Sequence, residues 1–599
     1  MTARLDARRP LAAELVEWVE AEVLTRGDAM VAASLADLAG ENDTSVLLAL
    51  ALAVRAPRSG HVALDLRRVR EQVSAEIELI DPDAVEIARA LPWPTDPTAW
   101  AAAIAASPVA TGNGSPLIVD AGLVYLRRFH THETRVAERI RALAATSAPT
   151  SGRVDDIAAV LDLDDGQRAA VERCLAGRLG VLTGGPGTGK TRTVAALLAV
   201  LLDGDPTLRI ALAAPTGKAA ARMGESLDAA VVLLARSADE RLVDIARRIG
   251  EVTPSTIHRL LGVRPGGAGV RHDHQRPLSQ QVVIIDEASM VSLPLMDALL
   301  DALADGARLV LVGDAGQLAS VDAGSVLGDI ATAGGVVGER VAELTASRRF
   351  PPDSRIGRIA AAIRAGDSEL AAAVLAESPT SSGAAEGDGR GSSAGVELRL
   401  VGTAAEVETV VRDHVLGVVA AARSGAIDEA VGSLDGLRVL CAHRRGRAGV
   451  SHWNRTIEDL IASGGVTASG MYPGRPVMIT RNDPARGLFN GDVGVVTRTD
   501  EGLRVAFATE GEPRLLAPAH LDGLETVHAM TIHKSQGSEF DHVVVVLPSA
   551  DSRLATRELL YTAVTRARTR VTLVGDPATV TAAIGRSAAR TSGLAARLR

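Results

Sequence analysis

Residues 184–191, Gly-Gly-Pro-Gly-Thr-Gly-Lys-Thr, have the residue types and spacing that bind the phosphates of a nucleotide. The glycines let successive backbone N–H groups turn toward one anion, Lys190 reaches the β- and γ-phosphates, and the Thr191 hydroxyl ligates Mg²⁺. The apolar run 180–182 enters the loop as a strand, and an amphipathic helix over 193–202 leaves it. We predict a nucleotide-binding loop made of Gly184, Gly185, Pro186, Gly187, Thr188, Gly189, Lys190, Thr191 and Arg192.

An acidic pair, Asp286 and Glu287, closes the apolar run 282–285 about a hundred residues after this loop. An enzyme that hydrolyses a nucleoside triphosphate needs such a pair. Asp286 would hold the Mg²⁺ shell with Thr191, and Glu287 would orient or deprotonate the attacking water. Asp314 and Gln317 follow another apolar run and are placed to sense the γ-phosphate; the alternative is a polar turn.

Two arginines are candidates for the cations that stabilise charge on a transferring phosphoryl group, Arg349 in LTASRRF and Arg566 in ELLYTAVTRAR. The alternative is that either one is simply a solvated surface arginine.

The use of lysine in this chain supports the assignment of these sites independently. Of 64 basic residues only Lys190, Lys218 and Lys534 are lysines. Because Arg cannot replace a compact ammonium in a confined phosphate pocket, these positions indicate phosphate contacts.

Composition limits the class of protein. A chain of 599 residues is too long for one core and predicts three or four domains. No apolar run is long enough to span a bilayer, and no signal-peptide core follows the N-terminus, so we expect a cytoplasmic protein. Two cysteines, Cys174 and Cys441, exclude a zinc ribbon and a disulfide framework. A net charge of −9 excludes a uniformly basic surface and allows a basic groove.

The pattern of apolar runs predicts an α/β fold with tandem RecA-like P-loop domains. Residues 1–148 are helical in period and carry no chemistry, and His130 and His132 are interpreted as packing or surface residues. Strand and helix signals alternate over 153–376, the first RecA-like domain, and again over 396–599, the second. Residues 377–395 are predicted to be a flexible linker or loop. Short β-runs at about 466–525 predict an inserted, SH3-like β-barrel.

Nine stretches, in order, resemble the motifs of superfamily 1 DNA helicases (SF1B) over about residues 160–580. The resemblance implies that Gln167 reads adenine, that Gly537 and Glu539 also contact the nucleotide, and that ATP and Mg²⁺ are the cofactors. It also implies that single-stranded DNA crosses both domains. The implied DNA-binding residues are Pro215, Thr216, Lys218, Thr256, His258, Thr531, His533 and Lys534. Phe350, Phe489, Phe540 and Tyr561 lie in or beside these motifs. Most of the four could equally be core residues, and we expect one or two of them to stack on bases.

Within the superfamily the sequence resembles the RecD family, the alpha subunits of RecBCD (exonuclease V) helicase–nucleases. The residues that carry this resemblance are HVALDL at His61 and PLIVDAGLVYLRRFHTHE at Pro116. It implies 5′→3′ translocation, action at double-strand DNA ends in recombinational repair, and docking of residues 1–148 to RecB-like and RecC-like subunits. No nuclease-like carboxylate cluster is present, so the nuclease is expected on another subunit. Arg348 departs from the aromatic residue often found there.

Two alternatives stay open at this point. A free-standing RecD-like helicase would unwind DNA alone, although such helicases carry a longer N-terminal extension. A non-catalytic subunit would have a degenerate ATPase site, which the intact Lys190, Asp286, Glu287 and Arg566 argue against.

Overall fold

The computed structural model describes residues 12–148, 152–264, 269–320, 322–377, 397–402, 404–483, 485–509, 511–588 and 590–599. Apart from Glu377, the predicted linker 377–395 lies outside these residues. In the described part of the chain, no helix combines the length and the apolar character needed to cross a membrane.

The N-terminal region is mostly helical but also contains a small antiparallel sheet, which the helical period of the sequence did not predict. Its strands, in the order β1-β3-β2, come from the HVALDL and PLIVDAGLVYL stretches. The strands are β1 Ala63–Leu64, β2 Leu117–Asp120 and β3 Leu123–Leu126. The helices are α1 Val16–Glu20, α2 Arg26–Ala39, α3 Thr44–Arg55, α4 Val69–Ile80, α5 Val85–Ala90, α6 Pro97–Ala106 and α7 Arg127–Ala145.

Helix α7 has a second packing partner that changes the predicted boundary at 148. Its buried residues Phe129, Val136 and Ile140 share one apolar core with Leu293 and Met296 from the next domain. His132 also hydrogen-bonds Asp297 at 2.7 Å, and His130 hydrogen-bonds Asp120 at 2.9 Å, which agrees with their interpretation as packing residues. Helix α7 therefore belongs as much to the first α/β domain as to the N-terminal region.

The first α/β domain is built on a six-stranded, fully parallel sheet in the order β6-β5-β7-β8-β4-β9. Helices cover both faces, so its central strands are apolar throughout rather than alternating. The strands are β4 Leu179–Gly184, β5 Ile210–Ala214, β6 Ser255–Thr256, β7 Val282–Ile285, β8 Arg308–Gly313 and β9 Val341–Leu344. The helices are α8 Val154–Val160, α9 Asp165–Leu175, α10 Lys190–Gly204, α11 Gly217–Ala235, α12 Glu240–Gly250, α13 Ile257–Leu261, α14 Leu293–Ala302, α15 Val326–Ala331 and α16 Gly335–Gly338.

The second α/β domain has a five-stranded parallel sheet in the order β10-β19-β18-β11-β17. The strands are β10 Glu397–Val401, β11 Leu437–Cys441, β17 Ala529–Thr531, β18 Phe540–Val546 and β19 Ala567–Val574. The helices are α17 Arg355–Ala365, α18 Ser368–Ala376, α19 Ala404–Ser424, α20 Ile427–Gly432, α21 Val450–Ser463, α22 Arg557–Val564, α23 Pro577–Ile584 and α24 Leu594–Arg597. Because Phe350, Ile359 and Val374 pack in this domain's core, the predicted boundary at 376 is too late by about one helical hairpin.

The predicted β insert is present as a five-stranded antiparallel sheet in the order β15-β14-β13-β12-β16. The strands are β12 Pro476–Ile479, β13 Val493–Thr499, β14 Gly502–Phe507, β15 Arg514–Leu516 and β16 Leu524–Thr526. Among the described residues no ladder joins β15 to β16, and closure into an SH3-like barrel stays a prediction.

The last residues of the chain return to the N-terminal region. The Thr591 backbone N–H donates to His61 Nδ1 at 3.0 Å, and its carbonyl accepts from the Val62 N–H at 2.9 Å. The fully buried Glu133 accepts hydrogen bonds from Ser592 Oγ at 2.9 Å and from Arg597 Nε at 3.0 Å. The end of the second α/β domain is thereby attached to the N-terminal region and to the first domain.

Candidate nucleotide cleft and nucleic-acid face

The predicted phosphate loop leaves strand β4 and enters helix α10. Gly187 and Gly189 adopt φ values of +75° and +82°, which favour glycine. A Cβ atom on Gly189 would lie 2.1 Å from Gln167 Nε2, so this position has no room for a side chain. Lys190 Nζ donates to the carbonyls of Gly184 at 2.7 Å and Gly185 at 3.1 Å. The loop thus has the backbone form of an anion cradle.

The acidic pair follows strand β7, two strands away from the loop in the sheet. Burial raises the pKa of Asp286, the neighbouring Glu287 raises it further, and Lys190 opposes the shift. Glu287 itself has a φ of +50°, an unusual conformation for a non-glycine residue. A divalent cation would stabilise two carboxylates in this position. In the described chain no group of three or more His, Cys, Asp or Glu residues could hold a metal. Thr191 and Asp286 with phosphate oxygens would suit Mg²⁺, which takes few protein ligands.

The loop after β8 connects the two domains. Gln317 Nε2 donates to Asp314 Oδ2 at 2.9 Å, and Gln317 Oε1 accepts from Arg566 Nη2 at 2.7 Å. Leu318 N–H donates to Thr562 Oγ1 at 2.9 Å. Arg566 is 4% exposed and is not a solvated surface residue. The structure thus brings Gln317 and Arg566 together across the cleft, and Asp314 is part of the same network.

Arg349 meets the second domain at Glu539, with Nη2 and Oε2 3.0 Å apart. Its other terminal nitrogen, Nη1, is buried and has no hydrogen-bond partner among the residues that the structure describes. A Cβ on Gly187 would lie 2.4 Å from Arg349 Cβ, which places this arginine directly beside the phosphate loop. A buried guanidinium nitrogen next to a phosphate cradle fits a phosphate oxygen as its partner. Arg348 turns away, and its Nη2 donates to the Asp162 carbonyl at 3.0 Å.

Gln167 lies against the phosphate loop and is 1% exposed. Its Oε1 accepts from the Asp164 N–H at 3.2 Å, and its Nε2 donates to the Thr188 carbonyl at 3.0 Å. The first of these bonds completes a capping box at the start of α9. The side-chain amide is therefore bonded at both ends to protein, and contact with adenine stays a prediction.

The predicted DNA-binding residues of the first domain lie at one edge of its sheet. Strands β5 and β6 pair through Ala214 and Thr256, which brings Thr216 and Thr256 close together. The side chain of each threonine caps the N-terminus of a helix by accepting a backbone hydrogen bond, Thr216 at α11 and Thr256 at α13. Pro215 is half-buried and His258 is exposed. Lys218 instead faces the second domain, where its Nζ donates to Ser538 Oγ at 3.0 Å.

The three predicted DNA-binding residues of the second domain differ in exposure. Thr531 is 5% exposed, and its hydroxyl accepts from the Lys534 N–H at 3.3 Å. Burial, followed by Arg590 and Arg444, lowers the pKa of His533 to about 4. Lys534 is exposed and forms an ion pair with Glu525. Among the three, Lys534 is therefore the most accessible to a DNA phosphate.

The four aromatic candidates for base stacking differ in how exposed they are. Phe350, Phe540 and Tyr561 are at most 4% exposed, so they are core or interface residues in this conformation. Phe489, from the β insert, is half-buried and lies beside the first domain. The Arg259 guanidinium lies 5.6 Å from its ring centroid, and a Cβ on Gly217 would lie 3.6 Å from the ring. Phe489 is the candidate that remains for base stacking.

Arg222 is a functional candidate that the sequence reasoning missed. Its Nη1 donates to the Gly537 carbonyl at 3.0 Å, beside the Lys218–Ser538 bond. Positions 218 and 222 are four apart in one helix and therefore share a face, which is a signal that could have identified it. The two cations together hold helix α11 against the 537–539 segment.

Comparisons with known families agree with this organisation. Residues 20–125 match the model described as RecBCD enzyme subunit RecD, N-terminal domain; residues 167–323 match an AAA domain; and residues 526–574 match a UvrD-like helicase C-terminal domain. The first match ends just before helix α7, in line with the packing of that helix on the first α/β domain.

Full-length relatives decide the family. The chain is 46% identical over 588 residues to RecBCD enzyme subunit RecD of Mycolicibacterium smegmatis, covering 97% of this chain and 98% of that protein. The chain belongs to the RecD family. RecD of Haemophilus influenzae is 31% identical over 528 residues, covering 80% of this chain and 81% of that protein. The RecD2 helicase of Deinococcus radiodurans is 34% identical, covering 83% of this chain but 60% of that protein.

As a RecD-family protein, the chain is an ATP-dependent DNA helicase. Residues of several helicase motifs meet across the cleft between its two parallel-sheet domains, as in the Gln317–Arg566 and Lys218–Ser538 contacts. The expectation of an intact rather than degenerate ATPase agrees with the contacts of Lys190, Gln317 and Arg566.

Proposed function

We propose that this RecD-family protein is the 5′→3′ motor subunit of a cytoplasmic RecBCD-type helicase–nuclease that acts on double-strand DNA ends in recombinational repair. The observation that carries the motor assignment is the contact of Arg566, from the second domain, with Gln317 beside the phosphate loop of the first. Because residues that sense the phosphates join the two domains across the cleft, hydrolysis of the nucleotide can change the distance between the domains.

Within this cleft each residue has a proposed role for ATP and Mg²⁺. Lys190 and the loop amides hold the phosphates, Thr191 and Asp286 hold the metal, and Glu287 orients water. The metal would supply charge neutralisation at the reacting phosphate. Arg349 and Arg566 approach from the two sides of the cleft, and Gln317 links the second of them to the loop after β8. Gln167, Gly537 and Glu539 complete the nucleotide pocket.

Single-stranded DNA is proposed to cross the edge formed by Pro215, Thr216, Thr256 and His258. The strand would continue toward Thr531, His533 and Lys534 in the second domain. Lys218 and Arg222 would change partners when the domains separate, because both side chains reach the second domain at 537–539. Such paired contacts alter the grip on the strand with each closure of the cleft.

The proposed partners are RecB-like and RecC-like subunits, docked through the N-terminal region. The match of residues 20–125 to a RecD N-terminal domain supports this proposal. A free-standing helicase is the alternative, and it resembles RecD2, of which this chain covers 60%. Part of the N-terminal surface is not available to a partner, because the chain end packs on His61 and Glu133.

Coexpression with RecB-like and RecC-like chains, followed by gel filtration, tests the assembly. Coelution of three chains is the expected result, and a protein that elutes alone and unwinds DNA alone contradicts it. Forked DNA with only a 5′ or only a 3′ tail tests polarity. Unwinding is expected for the 5′-tailed substrate, and a preference for the 3′ tail would overturn the proposed direction.

A further inference from the structure

Tyr561 lies between the two α/β domains, although its sequence context suggested only a base-stacking or core role. It belongs to helix α22 of the second domain and is 4% exposed. A Cβ on Gly185 would lie 2.6 Å from the Tyr561 hydroxyl oxygen, and a Cβ on Gly316 would lie 3.5 Å from its ring. The side chain therefore contacts the start of the phosphate loop and the loop after β8 at once.

The hydroxyl of Tyr561 faces Asp314, a carboxylate that is 1% exposed, and the two groups interact electrostatically. Burial first, and then the Asp314 charge, raise the pKa of Tyr561, so the phenol stays protonated. Asp314 accepts hydrogen bonds from the Gly316 N–H at 3.0 Å and from Gln317 Nε2 at 2.9 Å. Two donors from its own loop thus fix this carboxylate, and a phenol from the other domain lies against it.

The orientation of Gln317 depends on Asp314. The amide nitrogen of Gln317 donates a hydrogen bond to Asp314, so the amide oxygen must point away from Asp314. In that orientation the oxygen accepts a hydrogen bond from Arg566 Nη2 at 2.7 Å. Tyr561 and Arg566 come from the same segment of the second domain. The contacts run from Tyr561 through Asp314 and Gln317 back to Arg566 and form one closed polar circuit across the cleft.

We propose that Tyr561 is a positioning residue for ATP hydrolysis, which fixes Asp314 and thereby holds Gln317 and Arg566 in the arrangement needed for the reaction. This inference rests on the proposed roles of Gln317 and Arg566. It excludes base stacking as the function of Tyr561 and gives Gly185 a specific reason to lack a side chain. The circuit can form only when the domains are together, so it links cleft closure to the correct placement of the arginine.

Tyr561→Phe tests the proposal because it removes one oxygen atom and keeps the ring. We expect kcat of the DNA-stimulated ATPase to fall about tenfold, the scale of a lost polar contact with a charged group, while KM for ATP changes less than about twofold. Tyr472→Phe is the matched control. It also removes a buried tyrosine hydroxyl of the second domain, one that bonds His528 at 2.7 Å and does not contact Asp314, Gln317 or Arg566 among the described residues.

A double variant separates positioning from simple loss of stability. If Tyr561 acts through Gln317, then Gln317→Ala/Tyr561→Phe should be no slower than Gln317→Ala alone. An unchanged kcat for Tyr561→Phe, an effect confined to KM, an equal loss in Tyr472→Phe, or multiplicative losses in the double variant would each overturn the inference. If Gln317→Ala itself keeps wild-type kcat, the proposed role of Gln317 is wrong. That outcome is distinguishable from a failure of the positioning role of Tyr561 alone, in which Gln317→Ala is slow and Tyr561→Phe is not.

Gly185→Ala gives an independent geometric test. In the wild-type background the new methyl group would meet the Tyr561 hydroxyl oxygen, whereas the next ring atom is 3.9 Å away. We expect Tyr561→Phe to restore part of the thermal stability that Gly185→Ala removes, in a thermal-shift measurement. Equal losses of Tm in both backgrounds would show that the two residues do not touch as described.

Discussion

Arg566 Nη2 donates to Gln317 Oε1 at 2.7 Å, and this bond joins the two α/β domains at the centre of the nucleotide cleft. Arg566 also donates to the Ser538 carbonyl at 3.2 Å and to the Thr562 carbonyl at 3.3 Å. An ammonium on a shorter, unbranched chain cannot satisfy three oxygens in this geometry. The planar guanidinium, and not only its charge, is therefore needed at position 566.

Arg566→Lys should lower kcat of the ATPase by at least about a hundredfold, since arginine fingers contribute factors of about 10³ or more. Steady-state ATPase assays at saturating DNA measure this effect, and binding of a fluorescent nucleotide analogue checks that the site is still formed. Arg247→Lys, on the exposed outer face of α12, is the control and should behave as wild type. Near-normal turnover in Arg566→Lys would remove this residue from the reaction.

Lys190→Gln should abolish ATPase and unwinding without unfolding the protein. Lys190 Nζ donates to the loop carbonyls of Gly184 and Gly185, so its loss leaves the core unchanged. The phosphate contact it is proposed to make accounts for several kcal/mol of barrier. Thermal melting should be unchanged within a few degrees. Retention of more than about a tenth of wild-type ATPase would contradict the assignment.

Substitution of the two other lysines tests whether a confined ammonium is needed. Lys218 Nζ bonds Ser538, and burial followed by Arg222 lowers its pKa, so Lys218→Arg must displace neighbouring groups. Lys534 is exposed but is predicted to contact DNA or nucleotide. Both variants should require more DNA for half-maximal ATPase, with the larger effect at 218. Wild-type DNA dependence in both would show that the three lysines are an accident of composition.

Truncation at two positions tests the role of helix α7. Deletion of residues 1–145 removes α7 and exposes the core around Leu293 and Met296, so this variant should aggregate or lose nucleotide binding. Deletion of residues 1–126 keeps the helix and should retain more folded protein and more nucleotide binding. Circular dichroism and nucleotide titration measure both. Equal folding of the two truncated chains would mean that α7 contributes little to the first domain.

Four buried or half-buried histidines predict that acid destabilises the second domain. Burial is the main cause that lowers the pKa of His528 to about 3 and that of His414, His533 and His542 to about 4. Unfolded histidine titrates near pH 6.5, so below that pH the unfolded chain binds more protons and stability falls as pH decreases. Between its folded-state and unfolded-state pKa values, each histidine lowers the free energy of unfolding by up to about 1.4 kcal/mol for each pH unit of acidification.

The denaturation midpoint should therefore be lower at pH 5.5 than at pH 7.5. Acids whose pKa is raised by burial act in the opposite sense, such as Asp329 at about 7 and Asp286 at about 6, but both of these lie in the first domain. His542→Gln keeps a hydrogen-bonding side chain for Thr572 and removes one titration, so its pH dependence should be weaker. A midpoint that rises on acidification would refute the prediction.

Local sequence was sufficient for the phosphate loop, the acidic pair and the strands that carry them. Gly187, Gly189 and Lys190 are defined by spacing along a few residues, and the buried strands β4, β7 and β8 are apolar because helices cover both faces of the sheet. Such features depend on neighbours in sequence or on a simple apolar period. The same is true of the antiparallel pattern of the β insert.

Contacts between distant segments were decided only by the tertiary structure. The helical period of α7 and of the 355–376 hairpin predicted helices correctly but could not say which core receives their apolar faces. The sequence allows Tyr561 to be a base-stacking residue or a core residue, whereas the side chain lies against Gly185 and Asp314, more than two hundred residues away in the chain. An apolar face or a phenol is compatible with many partners, and only packing of the complete chain selects one.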